Sequence, residues 1–362
     1  MGRIRSFAET DIPQVAALHQ TVFRTTGRRA RAGPDAYAAY FRTVFLDHPS
    51  RDIALPSLVY EEESGRIAGF LGVVTRRMSM DGRPLRAAIS SQFVVDPKGR
   101  SALIAVQLAR TFFEGPQDVS ISDEATDLSR KLWEGLGGAT ALLQSIHWTR
   151  PLRPARLALS FLRNRTALAP LAAVANPPSR IVDALATRLP RSHLFQSRPD
   201  EFADDLRSEI ILAQLSEFAA GSVRVEYDRQ TFEWLLERAR RRRADGSLHT
   251  AVIRNQDAIV IGWYLYTLEP DGTADVVQIV AKPSSIDRVL DHLFYRAWHQ
   301  GAIAVTGRLE PRFLQALSDK YCLFHRRGPW MLVSSKRPEV VRAFQVGDAF
   351  FSRFDGEWCL GF

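Results

Sequence analysis

Apolar and polar positions along the chain switch between a period of two and a period of three to four, and the switches mark its elements. Arg3–Phe7 alternates as a short strand. Ile12, Val15, Leu18 and Val22 then recur at three- and four-residue steps, which predicts a helix starting near Thr10. Pro34–Leu46 predicts a second helix with Tyr37, Tyr40, Phe41 and Phe45 on its inner side. Ser57–Glu62, Arg66–Met80 and Pro84–Val95 read as strands, with Ser64-Gly65 and Asp81-Gly82 as hairpin turns. The stretch FVVDPKGRSALIAVQLARTFF, from Phe93, ends a strand at Asp96-Pro97, turns through a basic pair around Gly99, and resumes with helical spacing. DVSIS predicts a further strand, ATDLSRKLWEGLGG a helix stopped by Gly137-Gly138, and ALLQSIHW the close of the block.

Pro151–Arg198 breaks the pattern. It holds eight arginines, no lysine, one acid (Asp183) and six prolines, with Leu157, Leu159, Phe161, Leu162 and Leu168 between them. Ser179 is placed to cap a short helix with Ile181, Val182, Leu185 and Leu189 on one side. The segment reads as a packed connector, or as a basic amphipathic patch for peripheral contact with an anionic membrane. Beyond it the first block's order returns. Helices are expected over Glu201–Phe218 and Gln230–Arg243, with a strand at Val223–Tyr227 between them. Strands follow at Leu248–Arg254, Ala258–Leu268 and Ala274–Ala281. A helix Ser285–His299, a strand Ala302–Thr306, a helix Pro311–Ser318 and paired strands Cys322–His325 and Trp330–Ser334 complete it. A period of about 190 residues indicates a duplicated domain. The expected fold class is α/β with mixed sheets: a domain over 1–150, an arginine-rich helical connector over 151–196 and a second domain over 197–362.

Two stretches carry a resemblance to a known family. VVDPKGRSALIA stands where the GCN5-related N-acetyltransferases (GNAT) have the end of strand four and its loop, and DLSRKLWEGLGG stands where they have the next helix and turn. Residues 3–150 resemble that superfamily, and 197–362 resemble a second, degenerate copy, as in tandem GNAT proteins. The resemblance implies that strand four splays from strand five and that the pantetheine arm of acetyl-CoA or a longer acyl-CoA lies along Phe93, Val94 and Val95. It implies a pyrophosphate site in the loop Gly99, Arg100, Ser101, Ala102, Leu103, Ile104 and Ala105, where helix N-terminal amides and the dipole favour an anion. The family loop has the form Q/R-x-x-G-x-G/A. Arg100 and Ala105 match it, and Leu103 replaces the middle glycine. In the helix motif Trp133 replaces the family's usual tyrosine acid, and an indole N–H is a donor only. Ala87–Val95 carries no carboxylate, so Asp123 and Glu124 are the candidate bases; the alternative is an acidic pair favouring the next helix N-terminus. The implied activity is transfer of an acyl group from CoA, or from an acyl carrier protein, to a small-molecule amine held between the domains. The alternative left open is a catalytically inactive tandem GNAT serving as a scaffold at a membrane or in a biosynthetic assembly.

Composition narrows the partners. The 362 residues are 46% hydrophobic and 24% charged, an ordinary globular balance, and a formal charge of +8 favours acidic ligands. Two cysteines, Cys322 and Cys359, make neither a disulfide framework nor a four-cysteine zinc site, and a reducing, cytoplasmic setting is expected. The histidines show no metal-binding spacing, so no metal is expected. The run RARRRR at 238–243 ends a helix, where cations suit the dipole, and no zinc-finger or RNA-binding signature supports nucleic-acid recognition. The apolar C-terminal stretch FDGEWCLGF is expected to be a buried end strand.

Overall fold

The computed structural model describes residues 2–23, 33–98, 101–163, 179, 181–185, 192–219, 221–242 and 246–361. In chain order its elements are β1 (Arg3–Ser6), α1 (Ile12–Phe23), α2 (Pro34–Phe45), β2 (Leu58–Glu61), β3 (Ile67–Met80), β4 (Arg83–Val95), α3 (Ser101–Phe113), β5 (Val119–Ala125), α4 (Asp127–Gly135), β6 (Ala139–Thr140), β7 (His147–Pro151) and α5 (Pro154–Arg163). There follow β8 (Phe202–Asp204), α6 (Ser208–Phe218), β9 (Val223–Val225), α7 (Arg229–Arg241), β10 (Ser247–Arg254), β11 (Val260–Leu268), β12 (Thr273–Ala281), α8 (Ile286–His299) and β13 (Ala304–Arg308). The chain closes with α9 (Leu314–Asp319), β14 (Leu323–His325), β15 (Trp330–Ser334), α10 (Pro338–Val346), β16 (Ala349–Phe350) and α11 (Glu357–Leu360).

The elements form two compact units, and neither is a continuous stretch. One takes Met1–Leu142, Gly221–Arg238 and Pro329–Phe362; the other takes Leu143–Ala220 and Ala239–Gly328. These units differ from the expected blocks 1–150 and 197–362, and strand pairing gives the reason. β15 lies between β5 and β6 in the first sheet, and β7 lies between β13 and β14 in the second. Each half of the chain thus donates a strand to the other half's sheet. Two expectations change with this: Cys322–His325 and Trp330–Ser334 do not pair with each other, and the strand closing the first block belongs to the second sheet.

In the first unit the sheet runs β1-β2-β3-β4-β5-β15-β6, and β9 pairs with the far end of β3. Its two faces bury separate cores. Phe7, Val15, Tyr37, Phe41, Phe70, Val74, Ile89 and Ile121 pack together under α1 and α2. Leu71, Val73, Ala88, Ile104, Leu108, Phe112 and Trp133 pack together under α3 and α4. Gly69 on β3 fixes how close α3 comes: a Cβ there would lie 2.8 Å from Leu108 and 2.9 Å from Ile104. The C-terminal stretch is buried as expected but is not a strand; it turns at Gly356 into α11, whose Trp358, Cys359 and Leu360 are all buried. Arg238 holds this segment through a bond to the Gly361 carbonyl (3.0 Å), so it is not simply a solvated helix end.

The second unit repeats the plan with β8-β10-β11-β12-β13-β7-β14. Its core gathers Trp148, Ile253, Tyr264, Tyr266, Val276, Leu290, Leu293, Phe294 and Val305. In the connector, Asp183 accepts from the amides of Ala155 (2.9 Å) and Arg156 (3.1 Å) and so caps α5. Ile181, Val182 and Leu185 are exposed, and Leu189 lies outside the described residues.

Candidate active site at the divergence of β4 and β5

The site follows from where a strand pair stops. β4 and β5 run parallel over only three pairs, Ala87↔Val119, Ala88↔Ser120 and Ile89↔Ile121. Beyond Ile89 they part: β4 stays with β3, and β5 pairs with β15. Among the described residues, no strand pairs with Ser90–Val95 on the β5 side. Within this free stretch, Phe70 pairs with Val94 and Gly72 with Ser91, so Leu71 faces both Gln92 and Phe93. That is a β-bulge, and Gln92 takes a left-handed φ of 51° to make it. Its side chain is pinned by His19 of α1 at 2.6 Å, and His19 is itself enclosed by Phe23, Tyr37 and Phe41. A bulge releases backbone groups from the ladder and re-aims them. Here it does so beside the gap.

The residues expected to meet a cofactor fall on this edge and just after it. Val94 is buried in the core under α1 and α2, while Phe93 and Val95 pack partly buried beside the α3 core. Asp96 closes the strand, accepting from the Lys98 amide (2.9 Å) and pairing with Arg66 (2.5 Å). Gly99 and Arg100 lie outside the described residues. α3 starts at Ser101; Ala102 and Leu103 are exposed, Ile104 is buried and Ala105 is half-buried. Leu103 at 43% exposure stands on the outer side of the first turn, off the core that Ile104 and Leu108 anchor. The side chain at the family's glycine position therefore demands no rearrangement of the helix.

Across the gap sits a carboxylate cluster that sequence spacing shows only in part. Asp123 is buried and accepts from the Glu357 amide at 2.6 Å. Glu357, on α11, sends its carboxylate back to the Ser122 hydroxyl (2.6 Å) and the amides of Asp123 (3.0 Å) and Glu124 (3.2 Å). Burial, then the Asp123 charge, pushes the Glu357 carboxyl up to about 8. Glu124 is half-buried and faces Arg353 at 3.4 Å. Gly356 permits the arrangement, since a Cβ there would fall within 2.3 Å of the Asp123 carboxylate. Thus Asp123 meets Glu357, the partner that sequence spacing does not reveal, while the neighbouring Glu124 carboxylate turns to Arg353. Trp133 is buried against Phe112 and Phe113 (4.8 Å to the latter) and is a core residue. Among the described residues, no group of three or more His, Cys, Asp or Glu is placed to hold a metal.

In the second unit β12 and β13 repeat the device: parallel pairing over Thr273–Val276, then separation, with a bulge at Val277. A divergent parallel pair, a bulge on its longer strand and a helix directly after it, present twice, define a tandem GNAT fold. Solved structures share it. A conserved protein of unknown function from Enterococcus faecalis V583 matches with a TM-score of 0.59 at 12% identity, over 92% of this chain and 73% of its own. A GCN5-related N-acetyltransferase from Anabaena variabilis matches with a TM-score of 0.58 at 12% identity, over 92% and 72%. Saccharomyces cerevisiae N-myristoyltransferase with bound myristoyl-CoA matches with a TM-score of 0.50 at 9% identity, over 92% and 78%. No protein-family model and no curated protein sequence matches the chain.

Proposed function

We propose that the protein is an N-acyltransferase that binds an acyl-CoA in its first unit and transfers the acyl group to an amine. The observation that carries this reading is the β4 edge Ser90–Val95, bulged at Gln92, without a strand partner on the β5 side among the described residues and followed in the chain by α3. An extended pantetheine arm carries amide groups that fit such an edge, and the following helix start favours a pyrophosphate through its free amides and dipole. Phe93, Val94 and Val95 line the arm, and Gly99–Ala105 take the phosphates. The N-myristoyltransferase of the same fold was solved with a long-chain acyl-CoA; acetyl and longer acyl groups are both donors to test, with acyl carrier protein as the third.

In the transfer step the amine nitrogen attacks the thioester carbonyl. The C–N bond forms, the C–S bond breaks, and CoA leaves as a thiolate that takes a proton from water. The amine loses one proton, and the Asp123–Glu357 pair is the acceptor. Burial and the Asp123 charge raise the Glu357 carboxyl to about 8, so it exchanges a proton near neutral pH. With Trp133 in the core, no side chain at the family's tyrosine position can protonate the thiolate. That same observation favours the second reading, a non-catalytic acyl-CoA-binding scaffold. Amino sugars and amino-acid derivatives are the acceptors to screen first.

Calorimetric titration of acetyl-CoA and a long-chain acyl-CoA into wild type and Arg100→Glu tests the reading. Binding by wild type, weakened at least tenfold in the variant, is expected. No heat with either CoA ester or with acylated carrier protein overturns it. Donor binding without turnover of any amine selects the scaffold.

A further inference from the structure

A second polar feature lies inside the first unit. Arg76, on β3, is 2% exposed. Its Nε donates to the Asp355 carbonyl (3.1 Å), and its Nη1 donates to the Thr75 carbonyl (3.0 Å) and the Ser50 hydroxyl (3.4 Å). Its Nη2 has no partner among the described residues. Each partner it does have is neutral. The Asp355 carboxylate is fully buried but is taken up by the Ser352 amide (2.8 Å), the Ser352 hydroxyl (2.6 Å) and the Tyr227 hydroxyl. The Asp355 charge acts on the guanidinium but makes no direct ion pair with it, and a buried guanidinium with an N–H left over can take a further acceptor.

Aromatic side chains lie beside this guanidinium. The Trp234 ring lies 5.8 Å from the guanidinium carbon. His48 is buried beside it, with Nδ1 3.2 Å from the Ser50 hydroxyl. Burial, then the charges of Arg76 and Arg51, drives His48 down to about 3, so it stays a neutral imidazole and adds no competing cation. The segment that gives Arg76 its carbonyl partner at Asp355 carries Glu357 two residues on, already bonded to Asp123. Burial acts most strongly on Arg76, and the charges of Asp355 and then Asp123 act on it as well. An anion at Arg76 would thus stand near the groups proposed to take the amine's proton.

We propose that Arg76 is the reader of a carboxylate on the acceptor, so that the amine substrates are amino-acid-like molecules bearing both groups. This rests on the acyltransferase reading and names its acceptor class. The guanidinium's planar fork matches a carboxylate bidentately, and an uncharged amide does not.

The test compares amino acids with their C-terminal amides, in wild type, Arg76→Met and Arg76→Lys. Amine binding is read by thermal shift without donor, and turnover is read with the acyl-CoA that binds best. Wild type is expected to favour the carboxylate form at least tenfold in both readouts. Arg76→Met should lose that preference while binding acyl-CoA as wild type does, and Arg76→Lys should keep part of it. Equal response of wild type to acid and amide overturns the inference, and this comparison needs no variant to fold. A preference that persists in Arg76→Met overturns it too. A preference for succinyl-CoA over butyryl-CoA that depends on Arg76, with none among acceptors, reassigns the residue to the donor and also overturns it. Carboxylate-selective thermal shifts without any acyl-CoA binding would leave the Arg76 site standing and remove the acyltransferase reading.

Discussion

The two strand divergences in this molecule start from one geometry and end in opposite chemistry. In the first unit the gap beyond Ile89 and Ile121 is polar: Ser90, Ser91, Ser122, Asp123 and Glu357 stand around it. In the second, Gly307 ends the parallel pairing, and a Cβ there would lie 3.0 Å from the indole of Trp148. That indole is 1% exposed and packs edge-on against Phe294 at 6.1 Å, and Leu309, two residues past the last parallel pair as Asp123 is in the first unit, is buried in the same core. The helix starts differ in the same sense. Ahead of α8, Pro283 offers no N–H, the Ser285 amide bonds to the Lys282 carbonyl (2.8 Å), and the Ser285 hydroxyl accepts from Arg288 (3.1 Å). Lys282 is paired with Glu217 at 2.6 Å. A duplicated fold can therefore keep its backbone fork while the residues beside it change from polar to apolar.

The largest way to break this comparison is to remove the aromatic core beside the second fork. Trp148→Ala should destabilise the second unit by about 3–5 kcal/mol through lost burial and a residual cavity, read by denaturant unfolding with probes in each unit. Acyl-CoA affinity should be unchanged if the first unit alone binds the donor. Next is the close approach of α3 in the first unit. Gly69→Ala forces Ile104 and Leu108 to shift and should cost about 1–3 kcal/mol. It should also weaken acyl-CoA binding severalfold in the same calorimetric titration, because the helix start moves with the helix.

The carboxylate pair gives a smaller effect that depends on pH. Glu357 ordinarily titrates near 4.5 and is raised to about 8 in the fold. The folded chain thus holds a proton that the unfolded chain releases. The stability from this group is fully present below about pH 4.5 and is lost as pH rises through about 8. Glu357→Gln should flatten that alkaline decline in a series of melts from pH 5 to 9 and lower turnover. Asp123→Asn should lower turnover with donor affinity unchanged. The smallest effect is expected at Lys282: Lys282→Glu should leave acyl-CoA affinity within twofold of wild type, although the same kind of charge reversal at Arg100 should not.

How far the chain could be read in advance follows from which contacts are local. β3, β4 and α3 carry their signals in adjacent residues, by alternation, by the turn at Asp81-Gly82 and by helical spacing, and their placement agrees with those signals. The strand exchange is not legible that way. Trp330–Ser334 alternates as a strand whichever sheet receives it, and its register with β5 spans about two hundred residues. The Gln92 bulge leaves no mark either, since glutamine has no special preference for positive φ. Asp123 and Glu124 could be picked out because carboxylates are scarce near β4. Their partner Glu357 lies 234 residues from Asp123, in a stretch whose apolar composition suggested only a buried end. Arg76 looked like one more charge on a long strand; only its burial without an ion pair sets it apart.

The central claim is that acyl-CoA enters the fork of the first unit and not that of the second. Hydrogen exchange with and without saturating acyl-CoA tests it most directly. The account predicts slowed exchange at the amides of Ser90–Val95 and in the first turn of α3, with no change over Val277–Arg288. Protection over Val277–Arg288 instead, or none in either stretch under conditions where the ester binds, would contradict it.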